Sequence, residues 1–302
     1  MKGRTYEYLC CLRIYRTYRQ TDCSRVIGTR AHSPHREPAY QHGDRSYPKR
    51  SKTFCRRFNQ PVISCHVFDG AEALYTLIPF DPTAPDYTEM QLQHVHSIAQ
   101  ALRGSTIKYA VTLSSVGAHL PAGAGVVQGL HSMEELFNEI PGINILHLRA
   151  TYFLENTLSM AAMVKQMGII GSPVRADLKV PMVATKDIAA AALKHLLAKD
   201  FSGKNHEYIL GNREYTYAEI AQIYGRTIGK PDLKYVQFPY ADAKKAMMQM
   251  GMGESVVDKM NEFVKSMNEG KILEDVHRTP ANTTPTPAEE FAQIFKSVYE
   301  KS

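Results

Sequence analysis

The stretch Ile107-Lys108-Tyr109-Ala110-Val111-Thr112-Leu113-Ser114-Ser115-Val116-Gly117 decides how the chain is read. Residues 107–113 are short, largely apolar and partly β-branched, and glycines flank them, which is the pattern of a buried strand. Just upstream, Leu92, Val95, Ile98, Ala99 and Leu102 fall on one helical face, and Gly104 ends that helix. Further upstream, Ala73-Leu74-Tyr75-Thr76-Leu77-Ile78 is another strand, stopped by Pro79, Pro82 and Pro85. Downstream, Leu130, Met133, Phe137 and Ile140 mark a second amphipathic helix, closed by Pro141-Gly142. Ile143–Arg149 is then a third strand. Strands alternating with helices predict βαβ units and a parallel sheet, so the fold class is α/β. Ligands of such sheets bind beyond the carboxyl ends of the strands. Those ends are Pro79-Phe80, Ser114-Ser115 and Ala150-Thr151-Tyr152-Phe153.

The later chain is well punctuated. Thr185 is expected to cap a helix with Asp187 in its first turn. His206–Leu210 and Leu233–Phe238 read as strands, and Ala241–Met250 and Ser255–Asn268 as helices. Thr216-Tyr217-Ala218-Glu219 and Thr286-Pro287-Ala288-Glu289 both have the spacing of a capping box. Met247, Met248, Met250 and Met252 read first as ordinary core packing, and second as the lining of an adaptable apolar pocket.

Composition breaks near residue 65. Residues 1–65 hold 11 Arg and 3 Lys against 4 acids, whereas the remaining residues are mildly acidic. All 5 cysteines lie in this first part, but Leu, Ile, Val and Phe make up only 9 of its residues. So little apolar surface does not offset the ordering entropy of a fold. Arg13, Tyr15, Arg16, Tyr18 and Arg19 interleave cations with aromatics, as a nucleic-acid arm does. The same run reads as a solvated basic stretch, and the balance is against nucleic acid. The cysteines with His32, His35, His42 and His66 lack the paired spacing of a zinc site, so no metal is expected. No helical period supports a transit peptide, and no apolar core supports a secretory signal. The pattern fits an aberrant segment, such as the product of a shifted reading frame, expected to be poorly ordered. No stretch is apolar enough to span a membrane, so a cytoplasmic location is expected.

Four stretches are similar to the NmrA-like family of atypical short-chain dehydrogenase/reductases. They are Phe68–Pro79, Leu113–Ala118, Leu148–Asn156 and Thr185–Ala191, with the Thr216 capping box and the final helix opened by Thr286-Pro287-Ala288-Glu289-Glu290-Phe291 in register. The resemblance covers about residues 67–302 and implies a Rossmann-like, doubly wound parallel sheet that binds NAD(P)(H). It also implies a small C-terminal α+β substrate lobe. The expected division is 1–65 aberrant, 66–182 the rest of the dinucleotide domain, and 183–302 the lobe, with the N-terminal strands missing or irregular. The family's glycine-rich first loop has no counterpart, because residues 1–65 contain only Gly3, Gly28 and Gly43. That departure opens a reading in which cofactor binding is lost.

Family members are reductases of quinones or azo dyes, or non-catalytic dinucleotide sensors that act through a protein partner. The resemblance therefore implies hydride transfer to a small electrophile, with dinucleotide sensing as the alternative. It places Ile78, Pro79, Phe80, Ser114, Ser115, His131, Tyr152 and Phe153 at the cofactor, and Asn156 at the substrate. Where short-chain dehydrogenases carry a Tyr-x-x-x-Lys pair, the equivalent helix here reads Gly129–Glu135, and no tyrosine precedes His131 on it. His131 falls where the family carries Lys or His, so it is the candidate catalytic proton donor. A polar helix residue facing solvent is the plain reading beside it.

Overall fold

The computed structural model describes Phe68, residues 70–302 and the backbone of Tyr8–Cys10. The chain runs β1 (Tyr8–Cys10), β2 (Ala73–Leu77), α1 (Tyr87–Arg103), β3 (Tyr109–Ser115), α2 (Gln128–Asn138) and β4 (Asn144–Ala150). It continues through β5 (Tyr152–Phe153), α3 (Met160–Met167), β6 (Ile169–Ser172), β7 (Val180–Val183), α4 (Thr185–Ala198) and β8 (Lys204–Ile209). It ends with β9 (Glu214–Tyr215), α5 (Tyr217–Thr227), β10 (Lys234–Gln237), α6 (Tyr240–Gln249), α7 (Glu254–Asn268) and α8 (Ala288–Lys301).

Among the described residues the main sheet has the order β1-β2-β3-β4-β8, and every neighbouring pair is parallel. A parallel sheet needs helices on both faces. On one face, Val95, Ile98 and Leu102 of α1 and Met133 and Phe137 of α2 bury Leu74, Ala110 and Ile145. On the other, Ile188, Ala192 and Leu196 of α4 bury Val111, Leu146 and Leu148. Each of the Val, Leu, Ile, Met and Phe side chains among them contributes about 1.5–3 kcal/mol on burial. The sheet is thus doubly wound, as expected.

A second core gathers Tyr215, Tyr217 and Tyr224 with Phe291 and Phe295, and Tyr224 stacks on Phe295 at 4.2 Å. Around it lie two small sheets, β5-β7-β9 and β10-β6. The chain passes between the two cores more than once. β5–β7 belong to the smaller one, although they precede residue 183. β8 lies beyond residue 183 and pairs with β4 in the main sheet.

Several local expectations change. Ser114 and Ser115 end β3 rather than forming the turn after it. The N-cap of α4 is Ala184, and Thr185 is its first helical residue. The N-cap of α8 is Pro287 without a side-chain cap, because the Thr286 hydroxyl donates instead to Asp187. The Thr216–Glu219 capping box forms as expected. Met248 and Met250 are 41% and 74% exposed, which overturns core packing for them.

The segment read as aberrant supplies one strand, β1, whose backbone pairs with β2 at Tyr8↔Ala73 through Cys10↔Tyr75. The rest of that segment, including the arginine–tyrosine run, the zinc candidates and the reading-frame question, lies outside the described residues.

Candidate functional site

The carboxyl ends of β2, β3 and β4 carry the segments read from the sequence. Past β2, Ile78 and Pro79 are half-buried, and Phe80 is exposed with its ring edge-on to Tyr87 at 5.6 Å. Past β3 the chain turns at Gly117, whose φ of +85° favours glycine. There the Ala118 N–H donates to the Ser115 carbonyl at 3.2 Å. Past β4, Tyr152 sits edge-on to Tyr217 at 5.8 Å, and burial pushes its phenol above the ordinary value. Phe153 packs with the α4 face of the sheet.

His131, on the second turn of α2, reaches over the β3 turn. Its Nδ1 is 2.8 Å from the Ala118 carbonyl, and a carbonyl only accepts, so Nδ1 carries the proton. Its Nε2 lies 3.4 Å from Glu135 Oε1. The geometry brings His131 together with the Ser115–Ala118 turn. Asn156 stands apart: it is exposed, and its carbonyl accepts from the Ser159 hydroxyl at 2.9 Å. Ser114 is committed elsewhere, because its hydroxyl donates to Glu134 at 2.5 Å. Half-buried Ser115 stays outside that bond.

A polar cluster that the sequence reading passed over lies beneath this turn. Glu134 meets Arg149 side-on, with Nη2 to Oε2 at 2.7 Å and Nε to Oε1 at 3.1 Å, and both residues are buried. Burial works against the Glu134 charge, but hydrogen bonds from Arg149 and Ser114, with positive neighbours, outweigh it and hold the carboxyl below its ordinary range. Burial likewise opposes the Arg149 charge, yet Glu134 and Tyr208 hold its guanidinium above the ordinary range. Arg149 Nη1 also donates to the Tyr208 hydroxyl at 3.0 Å, and that hydroxyl donates to Asp275. His119, in the β3 turn, lies 3.2 Å from Asp275. The signal was present: Glu134 falls between Leu130 and Phe137 on the apolar stripe of α2, where a lone carboxylate needs a partner.

By strand order, β1 lies where the first strand of a doubly wound dinucleotide fold lies, beside β2. In such folds the turn after that strand holds the pyrophosphate. Here no glycine follows β1 before Gly28. The glycines that would hold the phosphates in such a turn are thus not in this sequence.

This fold and this arrangement of strand ends are those of dinucleotide-binding proteins related to short-chain reductases. The model of the NmrA-like family matches residues 131–292, more than half of the chain, and the chain belongs to that family. An NAD(P)H azoreductase of Xenophilus azovorans is 26% identical over 216 residues, 72% of each chain. The fold is shared with an NADPH-dependent quinone oxidoreductase of Escherichia coli solved with NADPH, at a TM-score of 0.67 and 17% identity over 81% of this chain and 83% of that one. It is also shared with NmrA, a negative transcriptional regulator solved with NADP, at a TM-score of 0.54 and 14% identity over 84% and 80% of the two chains. Among the described residues no helix is long and apolar enough to cross a membrane.

Proposed function

We propose that this chain is an NAD(P)H-dependent reductase of a quinone-like, azo or other small electrophilic substrate, acting in the cytoplasm. The observation that carries the reading is His131, whose Nδ1 is tied to the Ala118 carbonyl of the turn past β3 while Nε2 lies 3.4 Å from Glu135. The dinucleotide supplies the hydride. Ile78, Pro79, Tyr152 and Phe153 would flank its nicotinamide end with apolar surface, and Ser115 would lie beside it. His131, with its Nδ1 proton kept on the Ala118 carbonyl, takes up a second proton from water at Nε2 and gives that one to the substrate atom that gains negative charge. The substrate lobe is the smaller core built on β5–β7, β9, β10, α3 and α5–α8, and Asn156 faces the substrate from it.

The test is NADH and NADPH oxidation with a quinone and an azo-dye acceptor, on the wild type and His131→Gln. Turnover that falls about 10²-fold or more in His131→Gln supports the reading. Turnover equal in both proteins removes His131 from it. A second reading is favoured by the glycine-free stretch after β1: a chain that has lost the dinucleotide. Titration calorimetry with NADPH separates the two. Binding without turnover would instead favour a dinucleotide sensor acting through a protein partner.

A further inference from the structure

Two ranks of polar residues cross the α2 face of the main sheet in register. Thr112, His147 and His206 stand side by side on β3, β4 and β8, and Ser114, Arg149 and Tyr208 form the next rank toward the carboxyl ends. Behind both ranks the same face is apolar, at Ala110 and Ile145. α2 lies across the ranks and presents one residue to each. Asn138 Oδ1 accepts from His147 Nε2 at 3.0 Å, and Thr112 lies 2.7 Å from the other ring nitrogen. Glu134 takes Arg149 and Ser114. His131 comes next and reaches past the sheet to Ala118. Spacings of four and three residues keep these side chains on one helical face.

Stability alone does not call for such a ladder. A buried ion pair is about as stable as well-packed apolar residues of similar size, because desolvation offsets the attraction. What the pair supplies is direction. A side-on fork fixes the rotation of α2 about its axis and its slide along β4. The β3 turn is held at its start, where Ser114 donates to Glu134, and further along it His119 lies 3.2 Å from Asp275. Both partners of the His131–Ala118 bond are thereby located.

We propose that Glu134 and Arg149 are positioning residues that aim the His131 imidazole at the strand ends. The proposal rests on the reading of His131 as proton donor only for its effect on turnover; the aim of the ring is a separate observable. The test uses the full chain as Glu134→Gln/Arg149→Met, which removes both buried charges together and leaves the half-buried Asp275 its bond from Tyr208. Long-range proton–nitrogen NMR on histidine-labelled protein reads the His131 tautomer, and steady-state kinetics reads kcat and KM.

The expected result is a protein with wild-type circular dichroism whose His131 no longer shows a single Nδ1-protonated form. Its kcat is expected to fall at least tenfold with the KM for the dinucleotide unchanged. Arg149→Lys, which keeps the charge but loses the fork, should show the same change to a lesser degree, and it decides the matter if the double variant does not fold. An unchanged His131 spectrum in a folded variant overturns the proposal. If the wild type shows no turnover, the reductase reading fails and the NMR result still decides this one. If turnover is present but insensitive to His131→Gln, a shifted spectrum upholds positioning and removes only the catalytic role.

Discussion

Asp187, in the first turn of α4, accepts both the backbone N–H of Thr286, at 3.1 Å, and its hydroxyl, at 2.9 Å. Both residues are buried, and they stand 99 positions apart in sequence. The contact ties the helix covering the main sheet to the start of the last helix of the smaller core.

Asp187→Ala is expected to cost about 2–3 kcal/mol, because it strands two buried donors and removes an acid from a helix N-terminus. Thr286→Ser keeps both bonds and should cost well under half of that. Urea denaturation of the two variants checks this; equal losses would show that the bonds contribute little.

His147 gives the fold a pH dependence. Burial, the largest influence on it, holds its imidazole down to about 4. The unfolded chain takes up a proton below about 6.5, while the folded one does not until about 4. The contribution is therefore complete above pH 6.5 and is lost as pH falls from 6.5 to 4, by up to about 3 kcal/mol. Urea midpoints at pH 7, 5.5 and 4.5 should fall less steeply in His147→Gln than in the wild type. Parallel curves would overturn this.

Gly125 sits where α7 presses on the turn before α2. An added Cβ would lie 2.1 Å from the Lys259 carbonyl oxygen and 2.5 Å from the Phe263 nitrogen, at a φ of +54°. Gly125→Ala should lower stability by about 3 kcal/mol, through backbone strain and overpacking together. Thermal unfolding reads it, and an unchanged Tm would contradict the close approach.

Met248 and Met250 are exposed on and just after α6. Met248→Lys and Met250→Lys should each leave stability within about 0.5 kcal/mol of wild type. A larger loss would restore the core-packing reading that the structure sets aside.

Legibility in the sequence followed range. The capping of α5 by Thr216 and Glu219 could be read because both bonds close within three residues. Thr286 has the same local spelling and Thr185 stands where an N-cap is expected, yet Thr185 gives its hydroxyl to Glu155, 30 residues away, and Thr286 to Asp187. β5 and β9 have two residues each, too few to show a period of two. β1 carries no strand signal in Tyr8-Leu9-Cys10 and is placed by its pairing with β2. In the site, the strand ends and His131 could be read from position and resemblance. The Glu134–Arg149 pair could be seen only as two charges in apolar settings, since nothing local says that they meet.

The return of the chain to the main sheet at β8 bears on how the molecule can be divided. A polypeptide ending at residue 182 would keep β1–β4 and the helices over one face, but β4 would lose its outer neighbour. Arg149 would lose Tyr208 and Asp275 together. An uncovered strand edge is a template for pairing with other chains. The half that carries the dinucleotide-type strand ends is thus no detachable module. It becomes a closed, self-limiting body only after the chain has left for the smaller core and come back.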